Sequence, residues 1–84
     1  MDLRQFQRLF ARRVRALRAM RGLRQEDFEA FGLSWKSVQK LEYGVTDPKM
    51  STLLKLCRAF QMSLPELLAL DGAPRASGPG KVRD

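Results

Sequence analysis

Apolar residues recur every three or four positions through most of this chain. Leu3, Phe6, Phe10, Val14 and Leu17 keep that spacing, the period of a helix with one buried stripe, and predict a long helix over 1–21. Gly22, Leu23 and Arg24 form a turn. Gln25 to Phe31 reads as a short helix, with Glu26 and Asp27 in the first turn, where the positive end of the helix dipole favours them. Gly32 ends it, since glycine enters the left-handed conformation at little cost. Leu33 is an apolar anchor in the turn, and Ser34 is a good N-cap. A further helix runs from Trp35 to about Tyr43 and stops at Gly44, with Val38 and Leu41 three apart on its buried face. Pro48 forbids helix at Asp47, so 45–49 is a loop. Leu53, Leu56, Cys57 and Phe60 form the stripe of a helix from Met50 or Ser51 to Gln61. Ser63, Leu64, Pro65 and Glu66 make a capping box with proline in the first turn; it opens a last short helix carrying Leu64, Leu67, Leu68 and Leu70. There is no strand signal and no internal repeat. The expectation is an all-α, compact five-helix domain over 1–70. Residues 71–84, rich in glycine, proline and small residues, read as a disordered, flexible tail.

Trp35, Lys36, Gln39, Lys40 and Tyr43 lie off the buried face of their helix. A short helix whose outer face is basic, amide-bearing and aromatic has the chemistry of a major-groove reader. Charge supports this: 16 Lys plus Arg against 9 Asp plus Glu leave +7 on 84 residues, a balance suited to a polyanion, meaning nucleic acid or an acidic membrane surface. No apolar run is long enough to cross a bilayer, and arginines interrupt every apolar patch that could serve as a signal peptide. With a single cysteine, which cannot form an internal disulfide, the chain reads as cytoplasmic. Cys57 reads as a small core residue. Histidine is absent, which removes the commonest general base and metal ligand. Paired carboxylates, a glycine-rich phosphate loop and clustered ligands are also missing; no enzyme, cofactor or metal is expected. The arginines of the first helix read mainly as a solvated face. A core of this size is marginal alone, which makes a homodimer plausible.

The segments Q-x-x-F, G-L-S, S-V-x-x-L-E-x-G and P-x-x-S-T-L-L-K-L-C-R-A-F-x-M-S-L-x-E-L-L, in this order and spacing over about Phe10 to Leu70, resemble the phage-repressor helix-turn-helix family (XRE, or Cro/CI type). The resemblance implies a sequence-specific binder of double-stranded DNA, a nucleoid-associated transcriptional regulator. It would act as a repressor on a palindromic operator, as a homodimer, with helix 35–43 in the major groove. Carried over by position, Trp35, Lys36, Gln39 and Lys40 are base-reading residues. Arg24, Gln25, Ser34, Tyr43, Thr46 and Lys49 face phosphates, and Arg18 pairs with Glu42 to join the first helix to the reading helix. Two positions stay open. Arg24 stands where the family often has a capping Ser or Thr, so it is either a phosphate contact or a plain loss of cap. Trp35 either meets DNA or folds back on Phe31 or Leu33.

The stretch Gln25 to Gly32 is one residue shorter than the family usually has. The small residue packed against the reading helix then falls on Glu29 or Ala30. Ala30 is expected, since a buried unpaired carboxylate is costly. The dimer contact is expected in the last helix and the loop before it, with Leu70 and the extra first-helix turns (Leu3, Phe6, Leu9) as competitors. The alternative function is an antitoxin or adaptor that uses the same fold to bind a toxin-type protein. The acidic Glu26, Asp27 and Glu29 offer a surface to RNA polymerase or serve only the helix dipole. Lys36, Gln39 and Lys40 favour DNA over a protein partner, and a duplex RNA groove is too deep and narrow to admit this helix.

Overall fold

The computed structural model describes residues 1–70, folded as four α-helices and one 3-10 helix; the expected tail, 71–84, lies outside the described residues. Helix α1 spans Leu3–Met20, and Asp2 opens it by accepting the Gln5 N–H at 2.8 Å. The 3-10 helix Gln25–Phe31 follows, then α2 (Trp35–Tyr43), α3 (Met50–Phe60) and α4 (Leu64–Leu67). No strand occurs among the described residues, so the all-α, five-helix expectation holds.

Every helix contributes to one core. Phe10, Val14 and Leu17 of α1 meet Phe28, then Val38 and Leu41 of α2, Leu53, Leu56 and Phe60 of α3, and Leu67 and Leu70 at the C-terminal end. Phe28 and Phe60 stand edge to face, centroids 5.5 Å apart at 79°, an arrangement that aromatic quadrupoles favour. Cys57 is buried in this cluster, and desolvation raises its thiol pKa. Leu3 does not belong to the stripe: it is 55% exposed. The core begins one turn later, where Phe6 stacks on Phe10 at 5.4 Å and Leu9 packs beside it. Leu70 is 6% exposed and so is withdrawn from the candidates for a dimer contact.

The shortened stretch before α2 folds as a 3-10 helix. Its rise of about 2.0 Å per residue, against about 1.5 Å in an α-helix, lets fewer residues cover a given length. Its period of three also moves the buried face. Gln25, Phe28 and Phe31 stack on one side, and of these Phe28 is fully buried while Gln25 and Phe31 are half-buried. Ala30 is exposed, as is Glu29. The expectation that Ala30 packs against the reading helix is therefore wrong: in the 3-10 geometry residue 30 falls off the buried side, and Phe28 is the buried residue of this helix.

The arginines of α1 are not simply a solvated face. Arg13 donates to the Glu66 carbonyl at 2.7 Å, Arg15 to that of Glu42 at 2.5 Å, and Arg21, just past the helix, to that of Phe60 at 2.8 Å. These carbonyls lie in the last turns of α4, α2 and α3, where helical carbonyls lack internal partners and the dipole is negative. Helix α1 and its C-cap thus hold the C-terminal ends of three other helices.

Two left-handed glycines frame the motif: Gly32 ends the 3-10 helix with φ 86° and Gly44 ends α2 with φ 77°. At Gly44 the conformation coincides with a close approach. A Cβ there would lie 3.3 Å from the Gln7 carbonyl oxygen and 3.5 Å from Ala11 Cβ. Gly44→Ala is expected to cost about 1–3 kcal/mol, from left-handed strain plus this contact. Chemical denaturation of the purified variant would check it.

Candidate nucleic-acid interface

The exposed surface of α2 is built by its two ends. Ser34 caps the start, its Oγ accepting the Ser37 N–H at 3.2 Å and lying 3.0 Å from Ser37 Oγ. Gly44 closes the other end. Between them Val38 and Leu41 are 0% and 4% exposed. On a helix that buries those positions, Lys36, Lys40 and Tyr43 fall on the opposite face, and all three are exposed. Trp35, Gln39 and Glu42 form a row along one flank. Trp35 is 39% exposed, and the Lys36 ammonium sits 5.8 Å from the centre of its ring, close enough for cation–π attraction. Phe31 and Leu33 pack into the core cluster, whereas Trp35 stays at the surface beside Lys36. Gln39 is half-buried.

Glu42 is the one acid in α2, and it points inward at 6% exposure. Arg18 meets it with two hydrogen bonds, Nε to Oε2 at 2.6 Å and Nη2 to Oε1 at 3.0 Å. This two-pronged match is the strong form of a carboxylate–guanidinium contact. Arg18 also donates from Nη1 to the Leu23 carbonyl at 3.1 Å, and its hydrogen bond to Glu42 holds its pKa above the ordinary arginine value. The pair expected from the resemblance is present. It joins α1, the turn before the 3-10 helix and the end of α2.

Gln25 has been drawn into the same group. Its Nε2 donates to Glu42 Oε1 at 3.1 Å, so in this structure its amide is turned to α2. Arg24, 77% exposed on its side chain, donates from Nη2 to Asp27 Oδ1 at 3.2 Å. Asp27 in turn accepts the Arg24 backbone N–H at 2.8 Å, which lowers its carboxyl pKa. Asp27 thus supplies the reach-back half of a capping box, while the first-turn N–H groups that a Ser or Thr cap would satisfy receive no side-chain acceptor from Arg24.

Thr46 and Lys49 meet Lys40 at a pocket of about 250 Å³, which Ser37, Pro48 and Thr52 also line. It lies between α2 and the start of α3. Lys49 caps α3 with backbone alone, leaving the first N–H groups of that helix without intrahelical partners. Free N–H groups, two lysines and hydroxyls suit a phosphate oxygen; Asp47, on the same rim, is the one unfavourable charge. Ser37 and Thr52 are surface residues that reading the sequence had not singled out. Their signal was present in Ser37 as a hydroxyl in the first turn of the reading helix, and in Thr52 as part of an uncapped helix start.

No helix among the described residues is long and apolar enough to cross a membrane, and no cluster of three metal-binding side chains occurs among them. No curated protein and no solved structure matches the chain significantly. A helix-turn-helix family model does match, over residues 14–67. That span runs from the middle of α1 to the end of α4 and contains the whole interface just described. The fold is that of a DNA-binding regulatory domain, and the chain belongs to the helix-turn-helix family of the XRE, Cro/CI-like type.

Proposed function

We propose that this chain is a sequence-specific transcriptional repressor that binds a palindromic operator as a homodimer, with α2 in the major groove. One observation carries the reading. The single acid of α2 is buried and neutralised by Arg18, so the exposed face offers only Lys36, Lys40, Tyr43 and the flanking Trp35 and Gln39. Lysine donates to guanine O6 and N7, and a glutamine amide both donates to and accepts from adenine. Ser34, Thr46 and Lys49 flank that face and suit the backbone. Arg24 and Gln25 join them when the duplex displaces their present partners, Asp27 and Glu42. Repression needs only occupancy, and two copies would place their reading helices about one helical turn apart, roughly 34 Å. The dimer contact is assigned to the loop before α4 and to α4, where Leu64 and Leu68 are only half-buried.

Selection of bound sequences from a random duplex pool, at low and at moderate salt, tests this. A palindromic consensus that survives moderate salt is the expected result. Binding without a consensus, lost steeply with salt, would be backbone electrostatics alone and would overturn it in favour of a protein-binding adaptor. On the selected site, Lys36→Ala or Gln39→Ala is expected to cost about 1–3 kcal/mol and relax preference at one position per half-site. Lys49→Ala is expected to weaken all sequences alike.

A further inference from the structure

The arginines of α1 and of its C-cap divide into two groups. Arg13, Arg15, Arg18 and Arg21 each donate to a named carbonyl or carboxylate. Arg4, Arg8 and Arg12 are exposed and make no hydrogen bond or ion pair among the described residues. They stand four apart, so each faces a like charge one turn away, a spacing that disfavours the helix. No acid occurs between Leu3 and Met20 to offset it. Within α1 their charges therefore repel one another rather than stabilise the helix.

Their position gives them a use. The end of α2 abuts α1 where they sit: a Cβ on Gly44 would lie 3.3 Å from the Gln7 carbonyl oxygen, 3.5 Å from Ala11 Cβ and 3.6 Å from Arg8 Cα. At 3.6 residues per turn, Arg4 lies about 20° round the helix from Ala11, Arg8 about 60° and Arg12 about 100°. Arg8 thus sits where α1 meets the end of the reading helix, and Arg4 and Arg12 extend the row by about one turn to either side of it. Successive arginines are separated by about 6 Å along the axis. From first to last that is about 12 Å, or between three and four base-pair rises of about 3.4 Å measured along the duplex axis. The opposite side of α1 is committed to the core through Phe10, Val14 and Leu17, which leaves no apolar face to enter a lipid surface.

We propose that Arg4, Arg8 and Arg12 form a second phosphate-binding track, gripping the DNA backbone beyond the base pairs that α2 reads. The inference rests on the DNA-binding function proposed above. It adds a contact outside the half-site core, with the flanking duplex backbone as its partner.

The test compares the full chain with the Arg4→Gln, Arg8→Gln, Arg12→Gln triple variant. Two duplexes carry the selected site, one trimmed to the consensus and one extended by about ten base pairs, one helical turn, on each side. An unrelated duplex of the longer length is measured in parallel. The wild type should gain affinity from the extension and the variant should not. On the extended duplexes the variant should bind about 10- to 100-fold more weakly, with its log–log salt slope reduced by about 2–3. Arg58→Gln, which removes a charge from the far end of α3, should leave the gain from extension in place. Thermal melting of the triple variant should be unchanged or slightly raised, because repulsion has been removed.

Equal gains and equal slopes in wild type and variant would overturn the inference. So would a loss of the same size on trimmed and extended sites, which would make these residues core contacts or mere net charge. A wild type that shows no site preference defeats the operator reading instead. The slope comparison on the unrelated duplex still decides the role of the three arginines.

Discussion

Glu42→Ala is expected to lower the unfolding free energy by about 2–3 kcal/mol. Removing one partner of a fully buried ion pair typically costs about 3–5 kcal/mol, because the other is left uncompensated. Arg18 keeps 26% of its side chain exposed, so water screens part of the loss and a lower figure applies. Two groups lose their partner at once, Arg18 and the Gln25 amide. Glu42→Gln should be milder, since one amide oxygen still accepts from Arg18. Urea denaturation of both variants distinguishes these cases: a loss below about 1 kcal/mol in the alanine variant would class the pair with ordinary surface bridges. DNA affinity should fall in Glu42→Ala even where the protein stays folded, because the pair ties the end of α2 to α1 through a side chain, beside the Arg15 bond to the Glu42 carbonyl. A variant that is less stable but binds as tightly as wild type would show that the core alone orients the reading helix.

The second large effect is expected at Phe28. Its side chain is 0% exposed and meets Phe60 edge to face. Phe28→Ala should cost about 3–5 kcal/mol, the transfer loss plus the cavity left behind. A domain of this size has a total stability of roughly 4–10 kcal/mol at about 0.05–0.15 kcal/mol per residue. The change should therefore remove from roughly a third to all of that stability, read as a large fall in the melting midpoint of the helical circular-dichroism signal. Ala30→Ser, two residues away and exposed, should melt within a few degrees of wild type. Were Ala30→Ser the more damaging change, the period-three face of this helix would be wrong.

The contrast between Phe28 and Ala30 shows where reading the sequence failed. Gln25–Phe31 was correctly bounded from Glu26, Asp27 and Gly32, because dipole partners and a left-handed stop act within a few residues. Its periodicity was not legible. The choice between three and 3.6 residues per turn depends on the distance the segment must cover between α1 and α2, and that distance is a property of the assembled domain. The candidate site divides in the same way. Lys36, Lys40 and Tyr43 could be placed on the outer face of α2 from Val38 and Leu41 alone, and Ser34 as its cap from type and position. The partners of Arg24 and Gln25 could not: Asp27 reaches back to close its own helix, while Gln25 meets Glu42 across 17 residues of sequence.

By itself, the sequence determined the order and approximate bounds of the helices, the buried faces of α2 and α3 and most of that of α1, and that one short helix shows a basic, amide-bearing surface. All of this follows from contacts within one or two turns, where residue type and spacing are sufficient. Only the tertiary structure decided what the arginines of α1 do. Arg18, Arg21 and Arg13 find partners 24, 39 and 53 residues away, while Arg4, Arg8 and Arg12 find none among the described residues. All six carry the same charge on the same basic stretch. A long cationic side chain takes its role from the carbonyl, carboxylate or open solvent that packing brings to its tip, and no local pattern records which of these it will meet.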